Sequence, residues 1–221
     1  MILSGILGRS IDLDRSAVLY DRPFSARSLA EDFFVAAGDW CVEDGWLVGR
    51  ILGNAGGFVY TRGNHPGDVV LEFRAALVPP CTHDLNFAFR TEGWDDAKSD
   101  AGRGYIGGLS AWYDGKSGIE RYPDFSVQAM TSILALAPGQ EVLVQTGLVD
   151  GRCFLFVDGA LVVDLRDPSP IADPACGRVG LGVFFSQARF RDLRVLSPFV
   201  VREEASYAGL DRTAREEIRH G

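Results

Sequence analysis

The feature that most constrains this chain is a two-residue alternation of apolar and polar side chains, interrupted at short intervals by turn-forming pairs. Residues 84–90 place Leu85, Phe87 and Phe89 opposite Asn86, Ala88 and Arg90. Residues 68–77 place Val69, Leu71, Phe73 and Ala75 opposite Val70, Glu72, Arg74 and Ala76. Successive side chains of a strand point to opposite faces, so this period belongs to strands with one face in a core. Asp-Gly pairs at Asp44-Gly45, Asp150-Gly151 and Asp158-Gly159 sit between such runs, and Asp-Gly is a strong hairpin signal. Turn signals recur roughly every 8–12 residues, the rhythm of a β-sandwich.

Helical signals are confined to the ends. Residues 25–34 read as a short helix capped by Ser25 or Ser28. Residues 202–220 are highly charged and sparsely apolar, and read as a short packed helix or a disordered tail. The expectation is an all-β chain: an extension over residues 1–17, an antiparallel two-sheet jelly-roll sandwich over 18–198, and a charged C-terminal tail over 199–221. With 47% hydrophobic residues among 221, the chain has material for a sizeable core, and sandwiches of this length form single domains.

A formal charge of −8 argues against a nucleic-acid partner, because phosphate contacts draw on clustered Lys and Arg. No segment approaches the ~20 apolar residues of a membrane-spanning helix, and residues 1–14 lack the basic start of a signal peptide, so the expectation is no membrane partner and a cytoplasmic location. Cys41, Cys81, Cys153 and Cys176 form no C-x-x-C pair and read as free thiols rather than a zinc or disulfide framework.

A resemblance sharpens this. Leu19-Tyr20-Asp21-Arg22-Pro23-Phe24, Gly38-Asp39-Trp40, Asp44-Gly45-Trp46-Leu47, Gly67-Asp68-Val69-Val70-Leu71-Glu72-Phe73, Phe154-Leu155-Phe156-Val157-Asp158-Gly159, Gly177-Arg178-Val179-Gly180-Leu181 and Phe190-Arg191-Asp192-Leu193-Arg194-Val195 occur in that order. Together they resemble the concanavalin A-like lectin/glucanase superfamily, above all its bacterial YesU-like branch of unknown function and, less closely, the keto-disaccharide hydrolase-like domains. The resemblance implies two curved sheets with a sugar groove on the concave one. It transfers no mechanism, because the Glu-x-Asp-x-Glu strand of the glucanase branch is missing. It also implies a structural Ca²⁺ on the convex side, held by Asp192 with Asp21, since hard oxygen ligands suit that ion. No other cofactor is implied.

A sugar site needs flat apolar faces for ring C–H groups, and amides, carboxylates or guanidinium groups for hydroxyls. The densest such stretch is 83–124. It offers Asn86, Arg90, Trp94, Trp112, Asp114 and Arg121 as substrate-binding candidates, with one of Glu120 and Arg121 facing the groove. Trp40 and Trp46 read instead as packing residues beside a tight turn. Acid–base chemistry has Glu72, Glu120 and His83 as candidate catalytic groups, among carboxylates that also include Asp84, Asp114 and Asp124. Three readings stay open: a carbohydrate-binding sandwich, a glycoside hydrolase or uronate-polysaccharide lyase, and an assembly protein whose tail docks on another subunit, with a homodimer as one arrangement.

Overall fold

The computed structural model describes residues 1–6, 9–53 and 55–202. It is an all-β sandwich of two antiparallel sheets. The larger sheet takes β1 (Ile2–Ile6), β2 (Arg9–Asp21), β4 (Asp39–Glu43), β5 (Trp46–Arg50), β7 (Val69–Leu77), β14 (Val142–Val149), β15 (Arg152–Val157), β16 (Ala160–Arg166) and β18 (Gln187–Arg202). Its order is β1-β2-β18-β7-β14-β15-β16, with the β4–β5 hairpin also paired to β18. The smaller sheet runs β13 (Gln128–Thr131), β12 (Lys116–Tyr122), β11 (Gly104–Trp112), β8 (Leu85–Thr91), β17 (Arg178–Phe184), β6 (Gly56–Thr61) and β3 (Phe33–Val35). A separate small hairpin joins β9 (Trp94–Asp95) to β10 (Asp100–Ala101). The one α-helix among the described residues, α1 (Ala26–Asp32), is capped by Ser25, whose Oγ accepts from the Ser28 amide.

The alternation converts directly into the core. Val69, Leu71, Phe73, Ala75 and Leu77 of β7 face Leu85, Phe87 and Phe89 of β8 within one buried cluster between the sheets. Leu155 and Val157 of β15, Phe190 and Val195 of β18, and Leu181 and Val183 of β17 complete it. The opposite residues of each strand are thereby committed to an outer face.

The two outer faces differ. On the larger sheet, Val70, Val149, Phe154, Phe156 and Leu196 are buried under Leu3, Ile6, Ile11 and Leu13 of the β1–β2 hairpin. That hairpin reaches the far edge: a Cβ on Gly5 would lie 3.6 Å from the Leu161 side chain of β16. The expected 1–17 extension is therefore part of the sandwich, because its apolar residues cover an outer face that would otherwise meet water. The boundary expected at 198 also moves, since β18 continues through Pro198 to Arg202, paired with β2. The rest of the expected tail, 203–221, lies outside the described residues. Among the described residues the outer face of the smaller sheet has no such cover along most of its length, and the groove described below lies there.

Replacing Phe87, fully buried between the sheets against Phe73, should be among the costliest single changes. Phe87→Ala is expected to lower unfolding free energy by about 3–5 kcal/mol, read from urea denaturation.

Candidate functional site

A groove of about 590 Å³ runs over the outer face of the smaller sheet, within the ~300–1,000 Å³ common for small-molecule sites. Its floor follows from register. Asn86 of β8 sits between Gly182 of β17 and Gly108 of β11, and Gly108 in turn faces Gly118 of β12. One pleat away, Ala88 sits between Gly180 and Ile106, and Ile106 faces Glu120. Small residues around Asn86 keep the floor low. On the β17 side, a Cβ at Gly182 would lie 2.5 Å from the Phe58 ring and one at Gly180 2.6 Å from the Tyr60 ring, so these glycines let both rings lie flat on the sheet. Phe58 and Tyr60 stack on each other at 5.4 Å.

Phe58, Phe184, Phe185, His83 and Asp84 line one flank, and Trp112, Glu120 and Tyr122 the other. Asp100 and Ala101 of β10 also line the groove, and Tyr122 donates its hydroxyl to Asp100. Trp94, half-buried on β9, packs on the cluster of Phe58, Tyr60 and Ala88 and so covers part of the sheet face.

Two carboxylates in the groove are largely sheltered from water. Asp84 is 6% exposed and accepts from the Asn86 amide at 3.1 Å. Burial pushes its pKa up to about 7, against a smaller lowering by Asn86. Glu120 is 8% exposed, and its Oε2 accepts from Trp112 Nε1 at 3.2 Å and from Gln128 Nε2 at 2.9 Å. Burial raises its pKa too, and both hydrogen bonds oppose the rise. Trp112 reaches Glu120 because β11 carries two extra residues between Gly108 and Trp112, with Ser110 at φ 51°. That bulge pairs Trp112 with Lys116, about 7 Å closer to Glu120 than an unbroken ladder would allow.

The structure gathers Asn86, Trp112, Glu120, His83 and Asp84 at one groove and places Arg90, Asp114, Arg121 and Glu72 elsewhere. Between Glu120 and Arg121 it is Glu120 that faces the groove; Arg121 turns to Asp167, Asp124 and the Ser169 carbonyl. Arg90 departs from the face of Asn86 because β8 has one extra residue between Ala88 and Thr91, with Arg90 at φ 48°. Its guanidinium is buried and donates to the Ile171 carbonyl at 2.5 Å, beside a separate cleft lined by Asp68 and Pro170. Asp114 is exposed in a 3-10 turn at φ 63°, beyond the end of β11. Glu72 lies on the other sheet, facing the β1–β2 cover, where it accepts from Gln145 and Arg194 at 2.9 Å each. A pairing of Glu72 with Glu120 across one substrate is thus ruled out by placement.

The implied calcium site does not fit its residues. Asp21 lies 3.5 Å from Arg194, and Asp192 lies 3.7 Å from Arg191 and 4.0 Å from Arg74. Cations already occupy the surroundings of both carboxylates, and among the described residues no three acidic, His or Cys side chains gather as metal ligands. All four cysteines are free thiols. Trp40 stacks on Phe190 at 6.2 Å, and Trp46 lies under the guanidinium groups of Arg189 and Arg191, so both serve packing. Phe58, Phe184, Phe185, Tyr122 and Asp100 are groove residues that the sequence did not single out. The adjacent aromatics Phe184-Phe185 ahead of a turn were the available signal.

No family model matches the chain, and no curated protein matches it. Solved structures do. The carbohydrate-binding module CBM66 from Bacillus subtilis superposes with a TM-score of 0.60 at 17% identity, over 75% of this chain and 96% of that one. A Bacillus subtilis protein of unknown function with a galectin-like fold gives 0.62 at 12% identity, over 82% and 96%. The carbohydrate recognition domain of Emp46p, potassium-bound, gives 0.56 at 11% identity, over 83% and 96%. At these identities the likeness is one of fold, an antiparallel two-sheet β-sandwich.

The raised Asp84 pKa carries a stability signature. Between about 3.8, its ordinary value, and about 7, the folded protein holds a proton that the unfolded chain has lost. Stability contributed by this group is therefore lost as pH rises across that window. Asp84→Asn is expected to reduce the fall in urea midpoint between about pH 5 and about pH 8.

Proposed function

We propose that this protein is a carbohydrate-binding sandwich whose ligand lies in the groove over the outer face of the smaller sheet. The observation that carries this reading is the groove's composition: aromatic flanks that also carry Asp84 and Glu120, around a low floor that presents Asn86. Aromatic faces suit the C–H surfaces of a pyranose, and buried amide and carboxylate oxygens suit its hydroxyls. The carbohydrate-binding and galectin-like character of the structural neighbours supports it. The order of the sequence pieces supports a finer placement beside the YesU-like branch.

Binding is favoured over hydrolysis by the spacing of the buried carboxylates. Asp84 and Glu120 stand two strands apart and four residues apart along them. That is on the order of 16 Å between Cα atoms, so even side chains extended toward each other would leave the carboxyl groups about 10 Å apart, beyond the ~5–9.5 Å that separates the two carboxyl groups of a glycosidase. A uronate lyase calls for a cation to neutralise the substrate carboxylate, and neither Arg90 nor Arg121, the candidate arginines, lines the groove.

A glycan array followed by calorimetric titration tests the proposal, with binding expected for at least one oligosaccharide class. Asn86→Ala and Trp112→Ala are each expected to weaken that binding roughly tenfold or more, consistent with ~1–1.5 kcal/mol per lost contact. The urea transition should confirm that both variants are folded. Absence of binding to any glycan at millimolar concentration would refute the reading.

A further inference from the structure

We infer that the groove selects saccharides bearing a free amine over their neutral counterparts and excludes uronic acids and other anionic sugars. This rests on the saccharide-binding reading above and adds the charge class of the ligand.

The first ground is the charge of the lining. Asp84, Asp100 and Glu120 line the groove, and among the described residues no Lys or Arg does; His83, exposed at one flank, is the only basic side chain of the described lining. Nearby cations are committed elsewhere. Arg90 turns to Ile171, Arg103 pairs with Asp173, Arg121 with Asp167, and Lys98 with Asp95 at 2.9 Å. Lys116 shares a face of β12 with Glu120 but stands four residues away and lies outside the lining.

The second ground is that these carboxylates retain acceptor capacity. Asp84, over nine-tenths buried, takes one hydrogen bond on Oδ1 from Asn86, and its Oδ2 has no partner among the described residues. Glu120 uses Oε2 for both Trp112 and Gln128, leaving Oε1 free among the described residues. Both groups are sheltered with no Lys or Arg paired to them among the described residues, and burial raises the pKa of each, which is how an uncompensated carboxylate responds. An ammonium group has three donors and no acceptor, so it matches free carboxylate oxygens and forms charge-assisted hydrogen bonds roughly twice as strong as neutral ones. The aromatic flanks add an attraction for cations over ring faces. A uronate would bring a third or fourth negative charge into the same sheltered space.

The test uses matched sets at neutral pH and low salt, titrated against the whole protein: methyl glycosides and short oligomers of glucosamine, N-acetylglucosamine and glucuronate, and of galactosamine, N-acetylgalactosamine and galacturonate. Within the sets that bind, the free amine is expected to bind about tenfold or more tightly than its acetylated partner, with the uronate weakest. The preference should shrink as salt rises. In the near-isosteric Glu120→Gln variant and in Asp84→Asn, the amine-to-acetyl affinity ratio should fall toward unity. An acetylated or anionic sugar that binds as tightly as the amine overturns the charge inference and leaves carbohydrate binding standing. An amine preference that survives both substitutions also overturns it. If no member of any set or any array glycan binds, the carbohydrate reading fails and this inference fails with it.

Discussion

The apolar layer between the two sheets is the constraint on which everything else depends. Burying Phe73, Phe87, Phe89, Phe190 and their neighbours fixes which face of each strand points inward. With a period of two, it also fixes which residues are left to face outward. A one-residue slip of β8 would bury Asn86 and expose Phe87, at a cost far beyond any gain in local pairing. The groove is thus a by-product of core registry: Asn86 and Glu120 face it because Phe87 and Ile119 cannot.

The asymmetry of the two outer faces decides where a ligand can sit. The larger sheet presents Val70, Phe154 and Phe156 outward, and this apolar surface is closed by the β1–β2 hairpin. The smaller sheet presents a row of glycines with Asn86 among them, leaving volume above the backbone. Apolar outer residues call for a cover, whereas small and polar ones tolerate water and leave room for a guest. Charge follows the same division, because the arginines near the groove are held by carbonyls and carboxylates away from its lining while Asp84 and Glu120 keep free oxygens within it.

Much of this was legible in sequence for a physical reason. Alternation over 68–77 and 84–90, with Asp-Gly turns, reports strands and their buried face directly, and the capped helix after Ser25 was legible from its hydroxyls. Asn86, Trp112 and Glu120 could be singled out because they sit opposite core residues on aromatic-rich strands. Arg90 could not be placed, because alternation assumes an unbroken ladder and one extra residue in β8 breaks it. The same limit applies to Trp112, whose reach to Glu120 depends on a bulge at Ser110 that leaves no mark in the hydrophobic pattern. Glu72 was misplaced for a different reason: the period names a face of a strand but not the sheet that owns the strand.

The sequence by itself determined the class of fold, the strands that build the core and the residues held out of it, since all three follow from local periodicity and turn chemistry. Tertiary structure alone decided which sheet carries the groove, which arginines leave it, and that buried Asp84 and Glu120 share it while Glu72 stands on the opposite sheet. Those outcomes depend on the pairing of strands distant in sequence, on two bulges, and on the edge hairpin that closes one outer face. Each is set by free energy summed across the whole sandwich, which no short window of residues contains.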